Sequence, residues 1–138
     1  MSSENSKGIL FSVIWLIMLS LASFSVAPTE CHAFEITIDV APNVLNLQNN
    51  GQVVTVHTNI AYGSVQASTV YMNNVAISSW KSDLCGNFVA KFVMNEIKDL
   101  PLVIDHYNTL TLVGITTSNE SFWGSQDILV VDNGSTNQ

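Results

Sequence analysis

Trp80–Met94 reads WKSDLCGNFVAKFVM, two runs of β-forming residues interrupted by a polar loop. From Phe88 onward the residues alternate: Phe88, Ala90, Phe92 and Met94 share one face, while Val89, Lys91 and Val93 take the other. A period of two over seven residues belongs to a half-buried strand and not to a helix, whose apolar positions would recur every three or four residues. The polar interruption Ser82–Asn87 separates this strand from the run that begins at Trp80. Gly86 supplies the positive φ that a tight connection needs. The stretch is therefore expected to form a hairpin, with Trp80 and Phe88 anchoring it in the core.

The same alternation recurs on both sides. Glu35–Val40 places Ile36, Ile38 and Val40 opposite Glu35, Thr37 and Asp39, and Ala41-Pro42-Asn43 ends it. Gln52–Ile60 is rich in Val and Thr, with Val54, Val56 and Thr58 as its more apolar side. Thr69–Met72 and Val75–Ile77 flank Asn73-Asn74, a pair that tolerates hairpin dihedrals. Asn95–Leu100 is expected to make one helical turn, capped by Asn95 and stopped by Pro101. Thr109–Thr117 turns Leu110, Leu112, Gly114 and Thr116 to one face. Ser121–Gly124 and Gln126–Asp132 complete the pattern. These segments predict an all-β sandwich of about seven to eight antiparallel strands spanning 34–132, followed by a polar tail at 133–138. The expected core is Ile36, Ile38, Val54, Val56, Val70, Trp80, Phe88, Phe92, Leu110, Leu112, Ile128 and Val130.

The first 33 residues read differently. Lys7 precedes an apolar run from Ile9 to Ala27, and Cys31-His32-Ala33 offers a small-x-small site. This is the pattern of a secretory signal peptide cleaved after Ala33. An uncleaved anchor is the alternative, since the run just matches the ~20 residues that a membrane-spanning helix needs. Cleavage removes Cys31 and leaves Cys85 alone, so the domain is held by its core and not by a bridge. Retention would leave a Cys31–Cys85 pairing open.

Composition excludes several function classes. The chain carries a net charge of −7, and its four basic residues are all lysines, scattered at 7, 81, 91 and 98. Nucleic acid and anionic membrane surfaces both require clustered cations, so neither is an expected partner; the membrane is met only through the N-terminal segment if that is retained. His57 and His106 stand far apart, with no H-x-H, H-E-x-x-H or C-x-x-C nearby, so zinc and copper are not expected. No G-x-S-x-G occurs. Cys85 with either histidine would be the sole route to a thiol enzyme, and only Lys81 lies close in sequence to favour a thiolate. Six aromatic residues, Tyr62, Tyr71, Trp80, Tyr107, Phe122 and Trp123, are candidates for a sugar-stacking surface. Trp123 and Tyr107 are the leading ligand-binding candidates; Trp123 alternates away from Phe122, so the two face opposite ways.

Taken together, Ile38-Asp39-Val40-Ala41-Pro42, Asn46-Leu47, Val53–Val56, Ser68-Thr69-Val70, Ala90-Lys91-Phe92, Leu112–Thr116 and Phe122–Ile128 form a familiar series. The chain resembles an immunoglobulin-like β-sandwich module of secreted and surface proteins of bacteria and archaea, over nearly all of 36–131. The resemblance implies an accessory module in the periplasm or on the cell surface, with no catalytic activity. It also implies a place for calcium, because relatives often carry a D-x-D-x-D-G loop where this chain has Ser82-Asp83-Leu84-Cys85-Gly86-Asn87. Calcium takes six to eight oxygens, and here Asp83 and Asn87 are the only side-chain candidates, so an ordinary hairpin turn without a cofactor is the expectation. The expected function is non-enzymatic: a structural or interaction module at the cell envelope, whose partner is another envelope protein or a glycan. A ligand-binding module for carbohydrate or calcium is the alternative, and a Cys85-dependent enzyme the third reading.

Overall fold

A computed structural model describes residues 25–27 and 32–134. The expected signal segment thus lies outside the described residues, apart from 25–27, His32 and Ala33, as does the tail from 135.

Among the described residues ten strands build two facing sheets, with one short α-helix and two 3-10 turns in their connections. In chain order the strands are β1 (Phe34–Glu35), β2 (Ile38–Ala41), β3 (Val44–Asn46), β4 (Val53–Ala61), β5 (Tyr71–Met72), β6 (Val75–Ala76), β7 (Ser79–Ser82), β8 (Asn87–Val93), β9 (His106–Ile115) and β10 (Ser121–Val131). Helix α1 (Met94–Lys98) follows β8. One sheet runs β1-β10-β9-β5-β6, with β3 also on β10; the other runs β2-β4-β8-β7. The architecture is the all-β sandwich that the alternation predicts.

The core fills the space between the sheets. Eleven of the twelve expected core residues are buried, joined by Val40, Leu45, Met72, Met94, Ile97 and Phe122 among others. Trp80 is the exception, at 45% exposed. It lies on the edge strand β7 opposite Ala90, where its ring reaches the open rim of the sandwich instead of its centre. Two buried hydroxyls are satisfied locally. Thr58 Oγ1 donates to the Phe88 carbonyl at 2.6 Å, and Thr116 Oγ1 accepts from the Ser118 and Glu120 amides.

Three further expectations are corrected. Glu35–Val40 is not one strand: β1 pairs with β10 and β2 pairs with β4, so the chain changes sheets at Ile36-Thr37. Ile36, Ile38 and Val40 stay buried through the switch because both sheets turn the same alternating face inward. The strands are also not all antiparallel, since β1 and β3 each run parallel to β10. Helix α1 starts one residue early, with Val93 at the cap position and Asn95 inside the first turn.

The last strand organises this N-terminal path. β10 pairs with β9 along ten consecutive residues, and its other edge is covered at one end by β1 and at the other by β3. Between them, Gln126 Oε1 accepts the Val40 amide at 2.7 Å and so ties β10 to the opposite sheet. Gly124 lies where the chain crosses over: a Cβ there would stand 2.7 Å from the Ile36 carbonyl oxygen.

Candidate functional site

The hairpin at 80–94 forms, and its loop is a tightly bonded turn. Asp83 Oδ1 accepts the Cys85 amide at 2.8 Å and the Asn87 amide at 2.9 Å. The Asp83 amide donates to the Asn87 carbonyl, the Gly86 amide returns to the Asp83 carbonyl, and Gly86 has φ +80°. Asp83 therefore acts as an Asx-type side chain that mimics backbone, and one of its carboxylate oxygens is already engaged. Asn87 meets Asp83 through its backbone. Among the described residues no group of three His, Cys, Asp or Glu side chains is placed to hold a metal ion. Leu84 is fully exposed at the tip, and Cys85 beside it is an exposed free thiol.

The histidines stand on other elements than this loop. His57 is exposed on β4 with Val89 and Asp39 as its strand neighbours. His106 opens β9, its Nδ1 2.9 Å from the Ile104 carbonyl oxygen.

The six aromatic candidates separate by sheet. Phe122 is buried and serves packing, while Tyr62 follows β4, stacks on Phe88 at 6.2 Å between centroids and stays 41% exposed, away from the other tyrosines in the strand order. Trp80 belongs to the edge of the other sheet. Tyr71, Tyr107 and Trp123 all lie on the outer face of the sheet that contains β10, where alternation turns them to solvent.

Register then assembles a surface that residue counting could not. Glu35 on β1 pairs with Trp123 on β10, Trp123 with Val113 on β9, Val113 with Tyr71 on β5, and Tyr71 with Ala76 on β6. This single row crosses five strands, and Trp123, Val113 and Tyr71 are 36%, 42% and 42% exposed. Roughly 10 Å separates Trp123 from Tyr71 across Val113, at two interstrand spacings. Ile115, exposed one step along β9, widens the apolar area, and a shallow recess of about 300 Å³ lies against Val113, Ile115 and Trp123.

Along the same face the next rows are polar: Ser125 opposite Thr111, then Asp127 opposite Thr109, whose hydroxyl donates to Asp127 Oδ1 at 2.6 Å. Beyond them Tyr107, 72% exposed, pairs with Leu129, which pairs with Val44 of β3. Tyr107 and Trp123 thus share a face but stand on the order of 20 Å apart, six strand residues along. No lysine lies on these rows; the three described lysines are on β7, β8 and α1.

Val113, Ile115 and Glu35 were not legible as site residues. Their outward orientation follows from alternation, but their company with Trp123 follows from pairing partners that the sequence does not state. No protein-family model, curated protein or solved structure matches the chain.

Proposed function

We propose that this chain is an exported, non-enzymatic β-sandwich module that acts in the periplasm or at the cell surface by holding an envelope partner on the outer face of the β10 sheet. The observation that carries the reading is the exposed row Trp123–Val113–Tyr71, which spans three adjacent strands on rigid elements. Water-exposed aromatic and branched side chains in one contiguous row are the usual material of an interaction surface. Trp and Tyr there would supply the anchoring contacts. The signal pattern at 1–33 and the resemblance to secreted and surface modules support the envelope setting.

A glycan is the second occupant to consider, because the hydroxyl rows Ser125–Thr111 and Asp127–Thr109 lie between the two aromatic ends of the face. The two occupants separate in one set of experiments. A photo-crosslinking residue in place of Val113, expressed in intact cells, should yield a discrete protein adduct that disappears with Trp123→Ser. The same residue in place of Thr55, on the opposite sheet, should yield none. Adducts from Thr55 alone would overturn the assignment of the face. Soluble glycans that quench tryptophan fluorescence, with the response lost in Trp123→Ala, would instead select the glycan.

A further inference from the structure

At the end of the sandwich away from the 83–86 turn lies a cleft of about 590 Å³, between the β3–β4 connection and the start of α1. Its size falls in the range of ~300–1,000 Å³ that small-molecule sites occupy. The walls are mainly amides. Asn50, Gln52 and Asn95 line it, together with Lys98 and the cross-strand pair Val53–Val93. No carboxylate is among the lining residues, although the chain as a whole carries −7.

The connection that forms one wall is held in place from several sides. Gln48 Nε2 donates to Asp132 Oδ1 at 2.6 Å, and Asn49 Oδ1 accepts the Gly51 amide at 2.8 Å. Lys98 Nζ donates to the Asn49 carbonyl, and the Met94 amide donates to the Gln52 carbonyl. Gly51 packs so closely on Met94 that a Cβ would stand 3.0 Å from the methionine methyl. The loop is thereby fixed before any ligand arrives, which lowers the ordering cost of binding. Asn50, Gln52 and Asn95 are exposed, so their three side-chain amides face solvent and can exchange water for a ligand.

We infer that this cleft is a binding site for a carboxylate-bearing sugar. Each primary amide presents two donors and an acceptor, the complement of neighbouring hydroxyl groups. Val53 and Val93, 44% and 38% exposed, give a sugar ring's C–H face an apolar floor. Lys98 retains two N–H donors beyond its bond to Asn49 and supplies the one charge of the site, which selects an anionic group over a neutral one. A simple anion would use Lys98 and leave the amides and the valine floor idle. A neutral sugar would leave the ammonium idle.

The test is titration of the protein, purified after export, with a galacturonic-acid trimer, a galactose trimer and acetate, followed by amide NMR shifts. The acidic trimer should move the side-chain resonances of Asn50, Gln52 and Asn95. The galactose trimer and Lys98→Gln should each weaken binding by about tenfold, the loss expected for one charge-assisted hydrogen bond. Lys98→Arg should restore it. Asn95→Ala, at an exposed position, should weaken binding while leaving the melting temperature unchanged. Equal affinity for the neutral trimer, equal affinity for acetate, or shifts confined to the Trp123 face would each overturn the assignment.

Discussion

Two glycines show how single atoms set the limits of this fold. A Cβ on Gly114 would stand 2.5 Å from Phe122 Cζ, and one on Gly124 would stand 2.7 Å from the Ile36 carbonyl oxygen. Neither neighbour can yield easily, since Phe122 is buried in the core and Ile36 is bonded through its amide to Trp123 at 2.8 Å. Gly114→Ala and Gly124→Ala should each destabilise by about 1–3 kcal/mol in urea unfolding, the cost of overpacking. Only Gly124→Ala should also speed hydrogen exchange at the Ile36 amide. Gly63→Ala, with open space around it, serves as the control and should stay within about 0.5 kcal/mol. Asp83 allows a second residue-scale test. Its Oδ1 accepts two loop amides, a role that an asparagine oxygen performs equally well, so Asp83→Asn should be close to neutral. Asp83→Ala should cost about 1 kcal/mol, the net value of such bonds at a partly solvated site. Millimolar calcium should leave the melting temperature of all three forms unchanged; a rise in wild type that Asp83→Asn abolishes would restore the calcium reading.

At the scale of elements, β10 carries more than its own pairing. It holds β9 on one side and the two ends of the N-terminal path on the other, and Gln126 bridges the gap between them to Val40. Because β2 is an edge strand, the Val40 amide faces away from β4's ladder and depends on that side-chain oxygen. Gln126→Ala should therefore cost about 1–3 kcal/mol, the penalty of an orphaned donor, with faster exchange at Val40 as its local signature. Gln126→Glu keeps an acceptor and should recover most of the loss. The bridge was invisible in the sequence, and the reason is general to this chain. Alternation states which side chains point inward, and it did so correctly for Ile36, Ile38, Val54, Val56, Leu110 and Leu112. It does not state which strand lies alongside. The change of sheet at Ile36-Thr37 leaves the alternation untouched, so no residue marks it. Trp80 failed for a related reason: its bulk suggested the core, but an edge position leaves a large ring half in solvent. The outer-face row had the same obstacle, since Trp123 and Tyr71 are 52 residues apart in sequence and meet only through their shared partner Val113.

For the molecule as a whole, stability rests on the continuous core between the two sheets, whose largest fully buried members include Phe88, Phe92, Phe122, Leu110, Leu112 and Ile128. Each such side chain contributes about 1.5–3 kcal/mol on burial, and no buried side-chain polar atom among the described residues lacks a partner to offset that gain. A core of this kind needs no covalent staple, and the described cysteine, Cys85, is a free thiol at an exposed loop tip. The melting temperature of the protein should then be the same with and without a reducing agent, and Cys85→Ser should shift stability by less than about 0.5 kcal/mol, as a surface substitution does. The result also reports on the N-terminus. If the first 33 residues stayed attached and Cys31 bridged to Cys85, the bridge would close a loop of more than fifty residues. Such a loop contributes roughly 4 kcal/mol by restricting the unfolded chain, and reductant would lower the melting temperature by many degrees. An unchanged midpoint, combined with an intact mass that begins at Phe34, would establish both that the leader is removed and that the sandwich stands on packing alone. A lowered midpoint would place Cys31 in the mature protein and overturn the cleavage after Ala33.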